Sequence, residues 1–371
     1  MSRRATLTVA VLAALLVVGG TGVLIARQAD DKPAPAAVVT MLPGPQPDPL
    51  VIQVETTEAR VVAEAPATTA APATAAPAAP AATVAPEPDS GPVTPRNDTG
   101  SVYAALGTWV DVFDWDPDHT NGSPRITPSA VDRMAAVGVK TLYIQAARPE
   151  DEASPGDLVH PEILSSFIQR AHANGIAVVG WYLPHLSDIA DDMRHLQAMI
   201  DFAPGGQRFE SISLDIEWRN SVPDHDERSA RLVDLSQRLR AAASGGGMSV
   251  SATVMPPVVT DVINPAFWPR FPWNSIASLY DVWLPMSYWT NRSDDSPYRD
   301  AHRYTSENIS LLRANLGDPG APVHPIGGIG DKATLEDYQG FMAASSEQGA
   351  IGVSIYDFGT TAADAWPILR G

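Results

Sequence analysis

The sequence predicts a (β/α)8 TIM barrel over residues 101–371, and three observations carry that expectation. Short β-rich runs alternate with helix-patterned segments, the signature of a parallel sheet with helical crossovers. Eight such units fit within about 270 residues, close to the ~250 typical of an eight-stranded barrel. The first strand leads into Asp111-Val-Phe-Asp-Trp115 and not into a glycine-rich phosphate turn, which disfavours the runner-up, a doubly wound open sheet.

The elements follow in order. Strands are expected at Ala105–Phe113, Thr141–Gln145, Ala177–Tyr182, Ser211–Glu217, Ser249–Val254, Val282–Tyr288, Val323–Ile326 and Ile351–Tyr356. Between them, Thr127-Pro128 supplies a cap and a first-turn proline, with Gly138 as the stop. His160 to Ala173 ends at Asn174-Gly175, Ser187 to Phe202 begins on a capping residue, and Asp224 to Ala243 runs into glycines. Ser296 to Leu316 closes at Gly317, and Thr334 opens another helix with Asp337 three residues on. The segment Asn264 to Leu279 holds three prolines and is the least regular. No internal repeat is evident.

Residues 1–100 are a different object. Arg3 and Arg4 precede an uncharged run from Ala5 to Ala26, closed by Arg27. Its 22 residues are long enough to span a bilayer, so residues 1–27 are expected to be a single transmembrane helix. The paired arginines favour a cytoplasmic N-terminus, leaving the rest of the chain outside the cell membrane. The alternative is a cleaved signal peptide and a secreted protein. The absence of cysteine excludes a thioether lipid anchor, disulfides and cysteine nucleophiles. Residues 28–100 are rich in Ala, Pro and Thr and cannot bury enough apolar surface to offset ordering entropy; they read as a disordered linker. As a coil it would span roughly 45–50 Å.

Residues 101–371 carry 34 acidic and 19 Lys or Arg side chains, a net charge of −15. With no basic patch interleaved with aromatics, nucleic acid is excluded as a partner. No His-x-x-x-His pair marks a zinc site, and no cofactor is expected. Asp116-Pro-Asp-His-Thr-Asn-Gly122 faintly resembles a calcium loop, but its glycine falls one place late and no distal Glu follows. Neither a Gly-x-Ser-x-Gly elbow nor a phosphate-binding Lys-Ser or Lys-Thr loop is present.

The candidate chemistry lies at the carboxyl ends of the strands, where barrel enzymes place their sites. Ser211-Ile-Ser-Leu-Asp-Ile-Glu-Trp218 ends in two acids two residues apart, so Asp215 and Glu217 share a face of the fourth strand. Buried carboxylate pairs are costly as packing, yet glycosidic cleavage needs one group to donate a proton and another to stabilise developing positive charge. The other strand ends add Asp111, Asp114 and Trp115; Gln145 and Arg148; Tyr182 and His185; Trp218; Met286, Tyr288 and Trp289; and Tyr356 and Asp357. Carboxylates beside aromatic platforms equip a pocket for a sugar, making a polysaccharide the expected partner. Each residue also has a plainer reading. Asp215 could bond loop amides, the tryptophans could be core or rim, and Asp357 could serve a turn. A regular first strand would point Asp111 and Asp114 to opposite faces, admitting only one to the site.

At this point a resemblance is legible. Leu214-Asp-Ile-Glu217 resembles the Asp-x-Glu strand of the family-25 glycoside hydrolases, the lysozyme-type muramidases. Asp111-Val-Phe-Asp-Trp115 looks like that family's first strand, and Gly180-Trp-Tyr-Leu-Pro184 its third-strand Gly-x-Tyr segment. The resemblance implies Glu217 as the acid, with Asp111, Asp215 and Asp357 around it. Part of the same set is similar to family-18 chitinases, whose fourth strand reads Asp-x-x-Asp-x-Asp-x-Glu and whose sixth carries Met-x-Tyr, here Met286-Ser-Tyr288. Glu210 and Ser213 stand where the first two acids of that run would be, and Trp289 replaces its following Asp. The expectation is a divergent glycoside-hydrolase-like barrel.

Neighbouring same-face positions on a strand lie about 6.5–7 Å apart at the Cα, so both acids approach the sugar from one side. Direct double displacement wants a nucleophile on the opposite face, whereas the pair suits substrate assistance. Glu217 would protonate the leaving oxygen while Asp215 orients a 2-acetamido group. Proximity to Asp215 is expected to raise the pKa of Glu217. These features imply a membrane-anchored hydrolase of an N-acetylated glycan, peptidoglycan- or chitin-like; the alternative is a catalytically inactive, glycan-binding barrel of the cell envelope.

Overall fold

Eight parallel strands close on themselves in chain order in the computed structural model, which describes residues 100–149 and 156–371. They are β1 (Leu106–Val110), β2 (Thr141–Gln145), β3 (Ala177–Tyr182), β4 (Ser211–Ile216), β5 (Ser249–Val254), β6 (Val282–Ser287), β7 (Ile326–Gly328) and β8 (Val353–Tyr356). Closure is made by β1 against β8, with Gly107 opposite Ser354. The barrel expectation therefore stands. Among the described residues no helix is long and apolar enough to cross a membrane. The expected transmembrane run and linker, residues 1–27 and 28–100, lie outside the described residues except for Gly100.

Strand alternation sorts the side chains into two layers. Trp109, Tyr143, Val179, Trp181, Leu284, Met286 and Ile326 pack inside the barrel, while their sequence neighbours face the helices. Bulky rings come from one side: Trp109 of β1 stacks on Tyr143 of β2 with centroids 4.4 Å apart, and Trp181 of β3 lies 5.8 Å from Trp109. Small polar residues come from the other side, Ser211 and Ser213 on β4 and Ser251 and Thr253 on β5, all buried. Large against small fills a tapering interior at crystal-like density. Gly107 belongs to this fit, since a Cβ there would stand 2.5 Å from the Tyr143 ring. Several of these buried polar groups pair with one another: Tyr103 bonds Ser211 at 2.6 Å, Ser213 bonds Thr253 at 2.9 Å, and the Trp109 indole donates to Ser354 at 2.9 Å. His324 donates to the Tyr103 carbonyl at 2.8 Å, and burial pushes its pKa down to about 4, so it serves as a neutral core histidine.

The helical layer follows the expected signals, with local corrections. Helix Pro161–Ala173 buries Leu164, Phe167, Ile168 and Ala171, an i, i+3, i+4, i+7 stripe against the sheet. Helix Ile189–Asp201 is capped by Asp188, not Ser187, and helix His225–Gly245 by Asp224. Thr334 and Asp337 form a reciprocal capping box at helix Leu335–Glu347, and Gly317 ends helix Ala301–Leu316 at φ 65°. The proline-rich stretch after β5 breaks into a wide turn, Val258–Ile263, and a short helix, Trp273–Ile276. Two strand expectations shift. β7 starts at Ile326 and runs through two glycines, while Val323 makes only an isolated bridge to Trp283. β1 stops at Val110, and the chain turns at once into a helical turn, Val112–Trp115.

Candidate active site

That early stop of β1 shapes the mouth of the barrel. Asp111 continues the inward row of Gly107 and Trp109, and the helical turn then swings Asp114 round to the same side, as residues three apart on a helix do. The expectation that Asp111 and Asp114 face apart is corrected: both act on one electrostatic cluster with Asp357, the residue that follows β8. Arg125 forms an ion pair with Asp114, and the Tyr356 hydroxyl donates to Asp111. Asp357 accepts the Thr360 amide at 2.8 Å, so it also closes a turn.

Across the mouth stand Asp215 and Glu217. Asp215 is 7% exposed, faces the barrel axis above Ser213, and its Oδ1 has no hydrogen-bond partner among the described residues. Glu217, just beyond the end of β4, is half-buried. Tyr288, which follows β6, packs its ring 5.8 Å from that of Tyr356. Its hydroxyl lies in the field of Asp215, Glu217, Asp357 and Asp111, which sets four carboxylates around one phenol.

Burial dominates the electrostatics. It raises the pKa of both β4 acids, and repulsion from Glu217 raises Asp215 further. The leading cause at Glu217 is desolvation, so the expected influence of the neighbouring charge falls on Asp215. As a coupled pair the two acids hold a proton well above the ordinary carboxylate range. Burial and then repulsion from Asp111 and Asp357 push Asp114 up to about 7. Burial and then repulsion from Asp111 push Asp357 up to about 6. Asp111 is raised by burial against the opposing pull of Tyr356. Both tyrosines are raised chiefly by burial and remain protonated donors.

The remaining candidates divide. Gln145 accepts the Val112 amide at 3.2 Å and ties the β1 turn to β2. Arg148 lies over the Phe113 ring, 5.4 Å from its centroid. His185 stacks on Trp218 at 4.7 Å, and the Trp218 indole donates to Ser221. Tyr182, Trp115 and Trp289 are not brought to the mouth. Tyr182 turns outward, where its hydroxyl donates to buried Asp192 at 2.7 Å. Trp115 packs on Phe167 and Trp289 on Phe341, both fully enclosed in the strand–helix layer. Alternation explains Tyr182, one residue past inward Trp181. For Trp115 and Trp289 the cause is the helical turn that each strand enters.

Sequence reasoning missed two residues. Arg125 is a loop arginine with no motif to mark it. Phe113 is 47% exposed beside Asp111, clasped by Arg148 and the edge of His119, and offers an open ring at the rim. Asp116, Asp118 and His160 bring ligand-type atoms within 4.8 Å of one another and could hold a cation. Their other contacts, His119 on Asp116 at 2.5 Å and Glu162 near His160 at 3.3 Å, also knit the β1 loop to the start of helix Pro161–Ala173. Hollows of about 550 Å³ by Arg313 and Gln348, and about 350 Å³ by Arg125, Phe358 and Trp366, contain none of the inward acids. Chemistry, not volume, locates the site.

No protein-family model matches the chain, and no curated protein matches it in sequence. Solved structures do. The C-terminal domain of a putative chitinase from Desulfitobacterium hafniense is similar with a TM-score of 0.54 at 12% identity, over 72% of this chain and 99% of that one. An endo-beta-1,4-mannanase from Thermotoga petrophila gives 0.52 at 14% identity, over 70% and 68%. The PgaB (BpsB) glycoside hydrolase domain from Bordetella bronchiseptica gives 0.51 at 15% identity, over 71% and 98%. At such identities the likeness is one of fold: the chain has the barrel that these glycoside hydrolases share. Chitinases stand among these neighbours, so the likeness to chitinase-type barrels holds at the level of fold, and the lysozyme-type one gains no specific support.

Proposed function

We propose that this chain is a glycoside hydrolase that cleaves beside an N-acetylated sugar of a peptidoglycan- or chitin-like polymer. The observation that carries the reading is Asp215: a buried, inward carboxylate with an unpartnered oxygen, one pleat below half-exposed Glu217. A buried acceptor without a donor costs about 1–3 kcal/mol, a cost relieved when a ligand supplies the hydrogen. An acetamido N–H would do so.

Glu217, nearer solvent, gives its proton to the leaving oxygen. Asp215 accepts the acetamido N–H and turns the carbonyl oxygen onto the sugar carbon, so that oxygen, not a protein carboxylate, forms the transient bond. Water then opens that intermediate as Glu217 takes a proton back. Tyr288, held protonated, donates from the flank, while the Tyr356 hydroxyl stays on Asp111. The reading extends to location: the apolar run from Ala5 to Ala26 anchors the barrel outside the cell membrane, with residues 28–100 as spacer.

Replacing Glu217 with Gln tests it, since turnover of N-acetylglucosamine oligomers should vanish while binding remains. Undiminished hydrolysis removes the assignment. A second reading, a glycan-binding barrel without catalysis, draws on Ser213: it bonds Thr253 where a chitinase-type strand would carry another acid, so β4 itself holds no acid besides Asp215. It predicts retention on glycans with no turnover.

A further inference from the structure

Glu217 stands past the support of the sheet. Pairing of β4 with β3 ends at Leu214 and with β5 at Ile216, so the acid is the first residue of a loop. A carboxyl on a loop is placed less tightly than one on a strand, unless the loop is tied down. Two ties follow it. Trp218 alternates away from the inward face that Glu217 shares with Asp215 and lays its indole on His185, with centroids 4.7 Å apart and planes at 15°. Its N–H donates to Ser221 at 2.8 Å. Further along, buried Arg228 donates to the carbonyls of Arg219 and Val222 at 3.3 and 2.9 Å.

His185 is itself held. Asp192, buried on helix Ile189–Asp201, accepts the backbone N–H of His185 at 3.3 Å, that of Leu186 at 3.0 Å and the Tyr182 hydroxyl at 2.7 Å. One chain of contacts thus runs from a helix carboxylate through the loop after β3 to the residue beside the acid. The stack takes one face of the indole and Ser221 takes its only donor, so both are engaged within the protein.

We propose that Trp218 is a positioning residue: clamped by His185 and Ser221, it fixes the chain just past β4 and so holds the Glu217 carboxyl at the glycosidic oxygen. The proposal rests on the hydrolase reading above and adds what keeps its acid in place. A general acid must lie within hydrogen-bond reach of the oxygen it protonates, and a misplacement of about 1 Å costs up to about a hundredfold in rate. Affinity for the glycan comes from the rest of the mouth and does not depend on that placement.

Steady-state kinetics on N-acetylglucosamine hexamers tests it with Trp218→Ala, Trp218→Phe and Ser221→Ala. In Trp218→Ala kcat should fall about tenfold to a hundredfold while KM stays within about twofold, the mark of an interaction that serves the transition state alone. Phe keeps the stack and loses the N–H, and Ser221→Ala loses only the acceptor. These two should match each other, at a kcat loss of about threefold to tenfold. A raised KM with kcat kept makes Trp218 a sugar platform and overturns the proposal, as does an unchanged kcat. Should Trp218→Ala not fold, Trp218→Phe and Ser221→Ala decide by the same split. If the parent chain cleaves no hexamer, the hydrolase reading fails, and carbon-13 NMR titration of the Glu217 carboxyl decides instead. Asp215 and Tyr288 act on that carboxyl in parent and variants alike, and burial raises its pKa above the ordinary 4.5. Release of the loop in the variants should admit water and lower it toward 4.5, and an unmoved titration overturns the clamp.

Discussion

Replacing Asp357 with Asn should stabilise the fold at alkaline pH and do nothing at acid pH. Asp357 is 5% exposed, and burial followed by repulsion from Asp111 lifts its pKa from 3.8 to about 6. A carboxyl raised on folding contributes stability that is fully present below its unfolded pKa and lost as the pH climbs through its folded one. From 3.8 to about 6 the loss comes to about 3 kcal/mol. An amide never ionises and escapes that loss. Its oxygen keeps the 2.8 Å bond from the Thr360 amide, so the turn need not rearrange. At about 2–4 °C per kcal/mol for a domain of this size, the variant's unfolding midpoint should rise by up to about 6–12 °C near pH 8. Near pH 3 the two proteins should melt together. Thermal or urea unfolding of both across that range is the assay. Equal stability at every pH, or a variant weaker near pH 8, would refute the electrostatic account of the mouth.

Other perturbations separate packing from function. Asp192→Ala removes the acceptor of the Tyr182 hydroxyl and of the amides of His185 and Leu186, bonded at 2.7, 3.3 and 3.0 Å, and should cost about 2–4 kcal/mol by urea unfolding. Trp109→Phe removes the indole bond to Ser354 and part of the stack on Tyr143, and should cost about 1–3 kcal/mol in the same measurement. Phe113→Ala should leave stability within about 0.5 kcal/mol, since the ring is half exposed, yet weaken glycan retention about threefold to tenfold.

How much of this was legible in the sequence depended on whether local pattern or three-dimensional closure decided the outcome. Alternation and caps are local, and β2, β3 and β5 fall where the β-rich runs end. Asp215 and Glu217 were readable for the same reason: two residues apart on a strand means one face. The reading failed where a strand gives way to a helical turn. Asp111 and Asp114 then share a side that a straight strand would deny them, and Trp115 and Trp289 turn into the outer layer. The seventh strand was expected at Val323–Ile326 but forms at Ile326–Gly328, because its two glycines carry no β-rich signal and pairing with β6 and β8 places it. The pairing of large rings on β1 to β3 with serines on β4 and β5 is a property of the closed barrel, invisible along the chain. Arg125 reaches Asp114 from eleven positions further along the chain, and nothing in their spacing announces it.

A crystal structure of the Glu217→Gln protein soaked with N-acetylglucosamine oligomers tests the hydrolase account most directly. An acetamido nitrogen within hydrogen-bond distance of Asp215 Oδ1, with the neighbouring glycosidic oxygen facing position 217, is the predicted outcome. Oligomer bound with its acetamido group turned from Asp215, or seated away from the strand ends, would contradict it.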